Sequence, residues 1–142
     1  LTACACKEGS NHSERKDGFT PVLKTKDDSL YHDVMKGHDT GMAKMGTIRK
    51  YVTKVQHELD SISKLPATKI DQQYKQALVD QQEDLSYADN AMFTWMQEFE
   101  VDSARSDKEK RLAYLESEKL KVEKVRDNIL NGLRRADSLF GK

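Results

Sequence analysis

Met35, His38, Met42 and Met45 follow one another along one stretch of the chain, and Met92, Trp95 and Met96 form a second cluster that completes the methionine set. Thioethers with a neutral imidazole are soft donors, a combination that suits Cu(I) better than zinc or magnesium. The distribution of methionine carries the signal, because Leu, Ile and Val fill the apolar positions elsewhere. The competing explanation is packing, since flexible thioethers fill irregular gaps and apolar stripes at helical spacing usually face a core.

The clusters come together only if helices present them. At about 100° and 1.5 Å per residue, Met35, His38, Met42 and Met45 occupy a sector of roughly 80°. Met92 and Met96, four apart, share a face with Leu85, Ala88 and Phe99. Folding back near Leu65-Pro66 sets His38 opposite Phe93 and Met35 opposite Met96. The expected ligands are therefore His38, Met42, Met92 and Met96, with Met35 and Met45 adjacent and with Trp95 and Glu118 behind them. Glu118 sits mid-seam between Leu115 and Val122, where a carboxylate needs a partner. Reflection through a turn near Ala104 brings it beside Asn90 and towards His38, so a His38–Glu118 pair is expected if the cluster is only core. Arg111 falls on the inner side, level with Met96. Haem on His38 and a methionine is disfavoured, and Cys-x-x-Cys-His is absent.

Three helices are expected to hold these residues. The first, over about 29–64, starts at Asp27-Asp28-Ser29, carries a seam from Tyr31 to Ile62 in alternating threes and fours, and stops at Pro66. The second covers about 67–102, its seam interrupted by Gln81. The third, about 106–140, opens on a Ser106-x-x-Glu109 capping box and closes at Gly141. Short turns make this an all-α, up-down-up antiparallel three-helix bundle, about 50 Å long from the rise per residue. Gly37, Gly41 and Gly46 admit either a close neighbour or a kinked helix start. His32 and His57 read as surface residues, and the mixed-charge run from Lys108 to Arg126 as an exposed face.

The bundle spans 29–142, and residues 1–28 are polar and aperiodic, a flexible tether in which His12 is a linker residue. Leu1-Thr2-Ala3-Cys4 matches a lipobox, so Cys4 is the expected site of lipidation and the membrane the expected partner. The basic and hydrophobic parts of such a signal are not among these residues. Cys6 lies too close to Cys4 for an unstrained disulfide, and two thiols make a weak metal signal.

Among the 142 residues 34% are charged, with 24 basic and 24 acidic side chains interspersed, which leaves no basic stripe for nucleic acid. No run approaches the ~20 apolar residues of a membrane span. A phosphate loop, a nucleophile elbow and an H-E-x-x-H pair are all missing, so an enzyme is not expected.

The strings His38-Asp39-x-x-Met42-x-x-Met45, Ala91-Met92-x-x-Trp95-Met96-x-x-Phe99 and Tyr114-Leu115-Glu116-x-Glu118 resemble a family of small Bacteroidota lipoproteins often labelled "viral A-type inclusion protein". The likeness runs from about Tyr31 to Phe140. It implies a helical, membrane-tethered lipoprotein of unassigned function, with these His, Met and Trp positions as its hallmark. Thr40, Gly41 and Ala43 depart from the more acidic or bulky residues expected in the first string. The combined expectation is a periplasmic or surface lipoprotein of the cell envelope that binds copper at a methionine-rich site. The alternative is a structural or protein-interaction bundle without a ligand, its protein partner unknown.

Overall fold

The computed structural model describes residues 23–141, all helix and turn with no strand among them. Cys4, Cys6 and His12, and with them the tether and the lipidation site, lie outside these residues.

Helix α1 spans Lys26–Met42 and begins a turn earlier than the Asp27-Asp28-Ser29 cluster suggested. Thr25 is its cap: the hydroxyl accepts from Asp28 N at 3.2 Å while the Asp28 carboxylate accepts from Thr25 N at 3.2 Å, a reciprocal capping box. The expected continuous first helix is broken at Ala43-Lys44, after which α2 covers Met45–Ser63. Both break residues keep right-handed helical torsions, so the axis bends without a loop. The sequence supplies the weakness through Gly41 and Gly46 on either side, and through the Thr40 hydroxyl, which bonds back to Lys36 O at 2.8 Å.

After Leu65-Pro66 a single 3-10 turn, Ala67–Lys69, precedes α3, Gln72–Glu98. The later start of α3 follows from Asp71, whose carboxylate takes the free N–H groups of Gln73 and Tyr74. Helix α4, Lys108–Phe140, is capped by Asp107 accepting from Lys110 N at 3.1 Å, so Ser106 is not the cap. It ends at Gly141, whose φ of 68° is the left-handed conformation expected of a glycine cap.

The bend has a purpose in the packing. Helix α1 lies mainly on α4, α2 lies mainly on α3, and α3 and α4 pack along each other; α1 touches α3 only sparingly. The first helical arm thus crosses from one partner to the other at Ala43-Lys44. Val34, Ile48, Val55, Leu78, Leu85, Val122 and Ile129 are fully buried, each removal from water contributing about 1.5–3 kcal/mol. Gly37 and Gly41, one turn apart, allow α1 to approach: a Cβ on Gly37 would stand 2.9 Å from Val122 Cγ1, and one on Gly41 2.5 Å from Met92 Cε. Gln81, the interruption in the α3 seam, is buried and donates to Gly132 O at 3.0 Å, tying α3 to α4. At the far end Tyr51 bonds Asp137 and stacks on Phe140, with Lys54 Nζ over the same ring at 4.3 Å.

Candidate functional site

His38 projects from α1 beside Trp95 of α3, the ring centroids 5.8 Å apart. Gly41, one turn on, meets the methyl of Met92. Segments 38–42 and 92–96 therefore share one level of the bundle, as the two methionine clusters required. The register differs by two residues from the reflected one: Trp95, not Phe93, stands against His38, and Phe93 is 60% exposed. A bent first arm and the 3-10 turn at 67–69 account for the offset, since simple reflection presumes straight helices.

The methionines divide. Met45 and Met92 belong to the buried core, Met92 only 1% exposed, so their thioethers act as packing atoms. Met42 and Met96 stand at 38% and 42% exposure, and Met35 is half-buried. Apolar side chains of this size are left at the surface on both α1 and α3, two helices that touch each other only sparingly.

His38 is mostly covered, its side chain 18% exposed, and Nδ1 lies 2.9 Å from Asp39 Oδ1. A carboxylate can only accept, so the neutral ring donates through Nδ1 and carries its lone pair on Nε2. A carboxylate that fixes the tautomer is the usual support behind a metal-ligating histidine.

Glu118 does not pair with His38. Its Oε2 accepts the Trp95 indole N–H at 2.9 Å and its Oε1 accepts from Lys121 Nζ at 2.7 Å. The contact with Glu118 holds the Lys121 ammonium above its ordinary pKa. A buried indole needs an acceptor, and that need was the available signal for this bond. Trp95 also stacks on Phe99 at 4.9 Å, and Phe99 on Tyr31 and Tyr114, so a column of aromatic rings supports the level from one side. Arg111 turns to the loop, donating to Ser103 O at 2.9 Å. His32 and His57 are on the surface, His32 about 4.0 Å from Asp33. Lys119, within the mixed-charge run, crosses to Asp33 of α1 at 2.7 Å instead of standing free.

Among the described residues no three His, Cys, Asp or Glu side chains are placed to hold a metal ion together. No described helix is long and apolar enough to cross a membrane. Comparison of the chain with protein-family models, with curated proteins and with solved structures gives no match.

Proposed function

We propose that this bundle is a cell-envelope module, tethered through an acylated Cys4, that binds Cu(I) at the exposed edge between α1 and α3. The ligands are His38 Nε2 and the thioethers of Met42 and Met96, with Met35 flanking; Met45 and Met92 support them from the core. The observation that carries this reading is a tautomer-fixed imidazole on the same level as two half-exposed methionines. Buried thioethers are ordinary filling, whereas exposed ones next to an oriented imidazole form a soft donor set that solvent can reach.

The test is competition for Cu(I) against a chromogenic chelator under reducing conditions. His38→Gln, Met42→Leu and Met96→Leu should each weaken retention by about tenfold or more, whereas Met45→Leu should not; a protonated imidazole cannot ligate, so acidification should mimic His38→Gln. Wild-type protein that fails to compete refutes the copper site. Cys4→Ser, in protein expressed with a complete signal, should lose labelling by a fatty-acid probe; equal labelling removes the anchor.

A second reading, an interaction bundle without a ligand, draws on Phe93 and Met96, both exposed on α3. Methionine and aromatic surfaces adapt readily to partner proteins. Under that reading Cu(I) retention is absent and Phe93→Ser disrupts co-purification of a partner without altering stability.

A further inference from the structure

At the end of the bundle where α1 and α4 both begin, a cavity of about 460 Å³ is lined by Asp27, Asp28, Tyr31, Val101, Arg105 and Arg111. It uses none of the donors proposed at the methionine edge. Two of its charged groups are already engaged: Asp28 Oδ2 accepts the N–H groups of Lys24 and Thr25, and Arg105 pairs with Asp102 at 2.7 Å. Arg111 and Asp27 each make one side-chain hydrogen bond among the described residues and no ion pair.

Arg111 is 8% exposed, and among the described residues its guanidinium makes one hydrogen bond, from Nη1 to Ser103 O. A guanidinium carries five N–H donors in a fixed fork, and among the described residues only one of them is used. Asp27 is held below the ordinary carboxyl pKa, first by the hydrogen bond from the Thr25 hydroxyl and further by the fields of Arg111 and Lys108. The two charges feel each other without closing an ion pair. Tyr31 and Val101 add an apolar wall, with Tyr31 braced by its stack on Phe99 at 6.4 Å.

We propose that this cavity binds a small zwitterion, an amino acid or short peptide with an apolar side chain. Its carboxylate meets Arg111, its ammonium meets Asp27, and its side chain lies on Tyr31 and Val101. A simple anion would face the two aspartates and a simple cation the two arginines; a ligand with both charges satisfies both walls. The volume falls within the range of small-molecule sites, about 300–1,000 Å³.

The probe is the dipeptide Ala-Phe, titrated calorimetrically into the full chain. One saturable site is expected, weakened about tenfold or more by N-acetylation or by C-terminal amidation of the probe. Asp27→Asn should weaken Ala-Phe to the level of its N-acetyl form and leave binding of that form unchanged. Arg111→Gln should do the same for the amide; if that variant does not fold, Asp27→Asn decides alone. No binding of Ala-Phe, or binding indifferent to both caps and to Asp27→Asn, overturns the proposal.

Discussion

Replacing glycine by alanine in a helix normally stabilises it by up to about 1 kcal/mol, and the three glycines of the first arm should depart from that rule by different amounts. Gly46 has nothing within 4 Å of an added Cβ, so Gly46→Ala should gain about 0.5 kcal/mol, less than the full value because it sits in the first turn of α2. At Gly41 the new methyl would stand 2.5 Å from Met92 Cε and 3.3 Å from Ile129 Cδ1. The Met92 tip is flexible but buried, and overpacking of this kind costs about 1–3 kcal/mol, so the net effect of Gly41→Ala is a loss of about 0–2 kcal/mol. Gly37→Ala should be worse, because Val122 Cγ1 at 2.9 Å belongs to a stiff β-branched side chain. Urea unfolding followed by circular dichroism measures all three, and a difference of 1 kcal/mol should also appear as a melting shift of roughly 4 °C. Removing the ε-methyl with Met92→Leu should rescue Gly41→Ala, giving a coupling of about 1 kcal/mol in a double-mutant cycle. If Gly41→Ala stabilises as much as Gly46→Ala, or the cycle shows no coupling, α1 does not approach Met92 of α3 as described.

Two further outcomes follow from the buried polar groups and the cross-helix ion pair. Trp95→Phe leaves the buried Glu118 carboxylate with Lys121 as its remaining partner and should cost about 1–3 kcal/mol in urea unfolding, part of it recovered by adding Glu118→Leu; a silent Trp95→Phe refutes a structural indole–carboxylate bond. The Asp33 carboxyl is lowered from its ordinary 3.8, mainly by the hydrogen bond from Lys119, and Lys119 is raised from 10.5, mainly by the bond to Asp33. The depressed acid contributes stability above its unfolded value and loses it as pH falls through its folded one. The raised ammonium contributes below 10.5 and loses it as pH rises through its folded value. Asp33→Asn should therefore lower stability between about pH 4 and pH 10, and by no more than about 0.5 kcal/mol because both side chains are partly solvated. An undiminished deficit at pH 2.5 would contradict the assignment.

Much of this fold can be read from side-chain chemistry alone. Pro66 and Gly141 end helices for reasons intrinsic to one residue, and the seams of Val34, Ile48 and Val55 or of Leu115, Val122 and Ile129 mark buried faces by period. Choices between neighbours were harder. Asp27, Asp28 and Ser29 are all competent caps, but Thr25 wins because Asp28 can answer it; Ser106 and Asp107 compete in the same way. That the segments around His38 and Trp95 share a level is legible in the sequence, but their register is not, because helix periodicity says nothing about a bend at Ala43-Lys44 or an extra 3-10 turn. Those shifts move Trp95 into the place given to Phe93 and hand Glu118 to the indole. Nor does periodicity separate Met92 from Met96, four residues apart on one face: only the position of α1 decides that the first is covered and the second exposed.

The crossing of the first arm from α4 to α3 also orders events in time. Helix α2 meets α3 through partners 16 and 26 residues apart, Tyr74 with Glu58 and Gln82 with Gln56, so this hairpin closes a short loop. The ion pair that marks the seat of α1 joins residues 86 apart, and Gly37 fits against Val122 of α4 while Gly41 fits between Met92 of α3 and Ile129 of α4. Helix α1 therefore has no surface to occupy until α4 has formed, and its docking is the step with the largest loop-closure cost. In native-state hydrogen exchange α1 should open as a unit separate from the α2–α3 hairpin. Any ligand that bridges α1 to α3 would then be felt as a brake on that opening.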